Sequence, residues 1–154
     1  MVIRAGGEEC TCGRRGCFEA YASATALIRE TKRAMAAHPE SRMHAAAEEN
    51  GAVDGRTAFI AAQRGDAAAQ TVVDRYLDDL ACGVANIVNI FFPEVIALSG
   101  GVANQGDALL VPLRERVRVL SYGSRYAVRH TRIELCTLGY RAGVIGAALL
   151  AKQS

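Results

Sequence analysis

The chain has 154 residues, 51% of them hydrophobic, 22% charged and 6% aromatic, with a formal net charge of +2. That length accommodates one ordinary domain with its own core and excludes two large ones, and the composition is globular and helix-leaning rather than disordered. The near-neutral charge excludes the basic stripe of a nucleic-acid binder, and Arg14-Arg15 alone is not a patch.

The opening MVIRAGGE (Met1 to Glu8) has neither the apolar core nor the cleavage site of a secretory signal. The longest apolar stretch, Val84 to Phe92, is interrupted by Asn86 and Asn89 and falls short of the roughly 18 residues that span a bilayer. An odd cysteine count without an export signal points to a reducing compartment. The expectation is a soluble cytoplasmic protein with free thiols and no membrane partner.

From Phe18 to His38 the chain is rich in helix formers, with Tyr21, Leu27, Ile28 and Met35 near helical spacing, and Pro39 stops it. Glu40 to Asp54 reads as a short helix plus a loop. Asp54 is placed to cap a helix carrying Thr57, Phe59 and Ile60 that ends at Gly65. From Asp66 to about Asn89 a long helix is predicted, because Val72, Val73, Tyr76, Leu77, Leu80, Val84, Ile87 and Val88 form one broad stripe. Gly83 within it suggests close packing, and Cys82 reads as a small buried apolar residue.

VIAL (Val95 to Leu98) reads as a strand buried on both faces, running into Ser99-Gly100-Gly101-Val102. A helix follows from Gly106-Asp107 with Leu109, Leu110, Leu113, Val117 and Leu120. A second strand is predicted over Arg132 to Leu138, and a last helix over Ala142 to Lys152, apolar on nearly every side. The order strand, helix, strand, helix implies α/β with parallel pairing.

Near the start stands CTCGRRGCFE, in which Cys10, Cys12 and Cys17 form C-x-C-x4-C with Gly13 and Gly16 between the last two. Closely spaced thiolates on a glycine-rich turn suit zinc, which takes about four ligands in a tetrahedron; a cysteine-rich site of that kind is structural rather than catalytic. The competing readings are a disulfide, which is strained across one intervening residue and disfavoured in a reducing compartment, or three unconnected thiols. Glu19 by itself reads as a helix-N-terminal carboxylate favouring the dipole, and Gly100-Gly101 as a tight turn.

The stretch also matches C-x-C-G-x-x-G-C-x-E, the signature of the ROK family of sugar kinases and sugar-responsive repressors, at Cys10, Cys12, Gly13, Gly16, Cys17 and Glu19. FPEVIALSGGV (Phe92 to Val102) and AGVIGAALLA (Ala142 to Ala151) resemble two further stretches of that family. The resemblance covers nearly the whole chain and implies an actin-like (ribonuclease H-like) ATPase fold, with residues 1–154 as the C-terminal lobe, helix-rich with a small, partly parallel sheet. It implies that Cys10, Cys12 and Cys17 bind a structural zinc in a loop over residues 8–19. The fourth ligand would be an upstream histidine, about ten residues before Cys10; His38, His44 and His130 do not match that motif.

The resemblance further implies that Glu19 accepts hydrogen bonds from sugar hydroxyls. Gly100, Gly101 and Val102, in a loop over residues 98–104, would contact the adenosine of ATP, used with magnesium. The phosphate loops and the catalytic aspartate belong to an upstream half in such kinases, and no D-x-G-G-T or G-T-G-x-G-G-G occurs here, so no catalytic residue is expected in this chain. The expected parent is an ATP-dependent hexose kinase of the glucokinase type. A sugar-sensing ROK repressor and a stand-alone zinc-stabilised interaction module are the alternatives. The last helix, residues 142–152, is expected to pack on an N-terminal lobe or on another copy of the chain, which makes a homo-oligomer the expected assembly.

Overall fold

The computed structural model describes residues 1–124, 126 and 129–153. Residues 1–18 form an irregular loop, after which come α1 (Glu19–Ala22), α2 (Ala24–Ala37), α3 (Met43–Asn50), α4 (Thr57–Gln63) and α5 (Ala67–Phe91). Strand β1 (Val95–Leu98), a 3-10 turn (Gly101–Gln105), α6 (Asp107–Leu120), β2 (Arg132–Leu135), a second 3-10 turn (Gly139–Arg141) and α7 (Ala142–Gln153) complete the chain.

The predicted helix from Phe18 to His38 is two helices. Ser23 takes an extended conformation, φ −85° and ψ 164°, and its hydroxyl accepts from the Ala26 N–H at 3.1 Å, so it caps α2. A serine offers the backbone this alternative to helix continuation, which is why helix formers on both sides do not carry through it. Asp54 does not cap α4 directly. It accepts from the Arg56 N–H at 2.8 Å in a turn just before the helix.

Helix α5 is the spine. Val72, Val73, Tyr76, Leu77, Leu80, Ala81, Val84 and Val88 are buried along it and pack with Leu27, Met43, Phe59, Leu109, Leu113, Val117 and Ile133 into one core. Its start is fixed by Asp66, whose carboxylate accepts from the Ala69 N–H at 2.9 Å, the Ser41 hydroxyl at 2.7 Å and the Arg42 N–H at 2.6 Å. Burial alone would raise this carboxyl, but the hydrogen bonds outweigh it and hold it below the usual aspartate range. One residue therefore caps α5 and ties it to the start of α3.

Gly83 lies against Phe18. A Cβ there would meet the phenyl ring at 2.2 Å, so the side chain just ahead of α1 sits in a notch of α5. Cys82, expected to be buried, is only partly so, because it faces the groove between Ile3, Val119 and Leu120 rather than the core.

Strands β1 and β2 pair in parallel as a two-stranded sheet with Ile96 opposite Ile133. The expectation that β1 is buried on both faces is not met. Ile96 and Leu98 pack on the core while Val95 and Ala97 are exposed, because one sheet face lies on the helices and the other is open among the described residues. Strand β2 is shorter than predicted, ending at Leu135, where the chain turns toward Gly139–Arg141. On α7, Val144, Leu149 and Leu150 are largely exposed. No described helix is long and apolar enough to cross a membrane.

Candidate metal centre and ligand loops

Glycines and backbone hydrogen bonds shape the cysteine loop in place of regular secondary structure. Antiparallel bridges join Val2 to Cys17 and Glu9 to Arg15. Between the arms, the Cys10 N–H donates to Arg14 O at 2.9 Å and the Gly13 N–H to Cys10 O at 2.9 Å, which closes the tip. Gly16 has a φ of 76°, and a Cβ on it would lie 1.6 Å from Arg4 O. No other residue type fits there.

This folding brings the Sγ atoms of Cys10, Cys12 and Cys17 within 4.8 Å of one another, with Cys12 and Cys17 3.6 Å apart. Tetrahedral coordination with metal–sulfur bonds of about 2.3 Å separates sulfurs by about 3.8 Å, so the donor set fits zinc in spacing and in chemistry. The Arg14 side chain, then its backbone N–H and the neighbouring thiols, push the Cys12 thiol down to about 6. Burial pushes Cys17 up, so Cys12 is the thiolate formed more readily of the two. His38, His44 and His130 are not part of the cluster, and the His44 ring instead faces the backbone carbonyls of Met35 and His38.

Glu19 opens α1 two residues beyond Cys17, and its carboxylate accepts from the Cys10 thiol at 3.8 Å. It is exposed and forms one wall of a recess of about 120 Å³ that also includes Cys10, Ser23 and Arg29. The structure thus brings the three cysteines together, as their spacing suggests, and sets Glu19 beside Cys10, as the resemblance implies.

The second loop is at the carboxyl end of β1, the side of a parallel sheet where ligands bind. Gly100 has a φ of 105°, and neither Gly100 nor Gly101 has a heavy atom within 4 Å of an added Cβ, so their backbone faces open space. Val102 differs from its two neighbours: its side chain is buried in the core, and only its backbone remains for a ligand. The Ser99 hydroxyl donates to Gly139 O at 2.9 Å, tying this loop to the turn after β2.

The ROK family model matches residues 1–154. The chain belongs to the ROK family. Among relatives of this ROK protein, a glucokinase of Halalkalibacterium halodurans is 36% identical over 152 residues, covering 99% of this chain and 46% of that one. A xylose repressor of Caldicellulosiruptor bescii is 29% identical over 137 residues, covering 89% of this chain and 34% of that one. The structure of a ROK family glucokinase from Streptomyces griseus in complex with glucose and AMPPNP superposes with a TM-score of 0.87 at 30% identity, covering 100% of this chain and 50% of that one. The ROK chain therefore spans about half the length of the curated glucokinase it matches, and its fold is that of the ROK glucokinases, the actin-like ATPase fold.

One feature beside the site leaves only a faint signal in the sequence. Asp79 is buried on α5 and pairs with Arg4 of the cysteine loop. Its signal is helical phase, since Asp79 falls three residues after Tyr76 and four before Gly83, on the buried stripe.

Proposed function

We propose that this chain is the C-terminal lobe of an ATP-dependent hexose kinase of the glucokinase type, with zinc as a structural ion. The observation that carries the reading is the superposition on a glucokinase holding glucose and AMPPNP, together with a donor set that suits zinc. Cys10, Cys12 and Cys17 would hold the ion, and a bound zinc supplies rigidity to the loop. Glu19, presented by that loop, accepts two sugar hydroxyls through its ionised carboxylate. The backbone of Gly100, Gly101 and Val102 lies along the adenosine, while phosphates and magnesium are handled outside these residues. Helix α7 covers its exposed apolar side chains by packing on the other lobe or on a second copy, the latter giving a homo-oligomer in the cytoplasm.

The test is calorimetric titration of glucose into the full protein and its Glu19→Gln variant. The reading expects a sugar affinity lower by about 10-fold or more, the cost of weakening a charged hydrogen bond. Unchanged affinity would overturn the role of Glu19. A sugar-sensing repressor is the second reading, favoured by the similarity to a xylose repressor. ATP-dependent phosphorylation of a hexose supports the kinase, whereas sugar-dependent DNA binding without phosphorylation supports the repressor.

A further inference from the structure

Asp79 is a carboxylate on the buried face of an otherwise apolar helix stripe, and its residue is only 8% exposed. Among the described residues its one hydrogen bond comes from Arg4 Nη2, at 2.5 Å, across 75 positions of sequence. A buried carboxylate left without a partner is costly, so Asp79 fixes where Arg4 must stand. Burial raises the carboxyl above its usual range, and the Arg4 guanidinium opposes that shift.

Arg4 in turn touches both arms of the cysteine loop, sharing Gly16 O with the Ile3 N–H, which donates to it at 2.8 Å. Its backbone N–H donates to Gly16 O at 3.2 Å, and its own carbonyl accepts from the Gly7 N–H at 3.1 Å. That carbonyl is the atom that forbids a side chain at Gly16, immediately before Cys17. The guanidinium also lies 4.7 Å above the Tyr21 ring, and the Tyr21 hydroxyl accepts from the Glu8 N–H at 2.7 Å. Both arms of the loop therefore contact Arg4, which is held from α5. The other ion pairs near the loop, Arg33 with Glu8 and Arg15 with Glu9, are solvent-exposed and weak positioners by comparison.

We propose that Asp79 is a positioning residue for the cysteine loop: through Arg4 it fixes the Gly16 turn that aims Cys17 and Glu19, and so raises the loop's affinity for metal. This rests on reading the cysteine cluster as a metal centre. The couple acts as a unit, with neither member effective alone.

Zinc affinity of the full protein is measured by competition with a chromophoric chelator, for the parent, Asp79→Asn, Arg4→Met and the double variant. Each single variant is expected to lose about 10-fold in affinity, the low end for outer-shell partners of a metal site. The double variant is expected to lose no more than the worse single, since each removes the same interaction. Asp78→Asn, one position along α5 and paired to Arg116 instead, is expected to bind zinc as the parent does. Cobalt-loaded Asp79→Asn should also show an altered thiolate charge-transfer band, which a loss of stability alone would not produce. If Asp79→Asn does not fold, Arg4→Lys, at a half-exposed side chain, tests the same link and is expected to bind more weakly than the parent. A parent that binds no zinc overturns the metal reading. A parent that binds zinc, with folded single variants equal to it or with losses that add, overturns the role of Asp79 alone.

Discussion

The two candidate ligand loops are built by different means. The cysteine loop has almost no regular structure of its own: its tip is closed by its own backbone hydrogen bonds, and side chains fasten it to the helices, through the Arg4–Asp79 pair and Phe18 seated in the notch at Gly83. The loop after β1 is held by its strand and by the buried Val102, and it offers only backbone at Gly100 and Gly101. A site of the first kind depends on many side chains at once, and one of the second kind depends on little but its position at a strand end. The two should therefore respond differently to substitution.

The sharpest break is at the thiols. Cys12→Ser and Cys17→Ser should each lower zinc affinity on the order of 100-fold, as expected when one of about four ligands is lost, measured by chelator competition. Equal losses at Cys82→Ser, a cysteine outside the cluster, would contradict the assignment. Next comes Gly83→Ala, whose added methyl must displace the Phe18 ring. It should destabilise the protein by about 1–3 kcal/mol in urea unfolding, the range for an overpacked core, and should weaken zinc binding as well.

The joint between α3 and α5 gives a smaller effect with a pH signature. Asp66→Ala should cost about 1–2 kcal/mol at neutral pH, the scale of a lost helix cap. The carboxyl is lower in the folded state than unfolded, so its contribution is present above the unfolded value of about 3.9 and fades as pH falls through the folded one. Unfolding curves of parent and variant should thus converge in strong acid, and a constant gap down to that range would contradict the prediction. The smallest effect is expected at Gly101→Ala, where the Cβ enters open space and φ lies outside the left-handed region. Stability should stay within about 0.5 kcal/mol, while nucleotide affinity, if the backbone lies along the adenosine, should fall.

The same contrast explains what the sequence made legible. Helix α5 and the parallel pairing follow from periodicity and element order, because those signals are local. Cys10, Cys12 and Cys17 announce themselves by spacing, since the fold need only bend one short loop to bring them together, whereas Glu19 stands out only through the resemblance to the ROK signature. Ser23 was hidden by helix formers on both sides, as capping chemistry at one residue outweighs propensity summed around it. The exposed face of β1 could not be read from VIAL, since an apolar run does not say how many layers cover it. The Arg4–Asp79 pair joins residues 75 apart, and only the helical phase of Asp79 hinted that a carboxylate was being buried.

On the proposed reading, the thiols hold a metal in order to present Glu19 to a sugar. The direct test is calorimetric titration of glucose into zinc-loaded and zinc-stripped samples of the full protein, at a pH where both remain folded. Stripping zinc is expected to weaken glucose binding by about 10-fold or more in the parent, and much less in Glu19→Gln. Equal glucose affinity with and without zinc in the parent would contradict it.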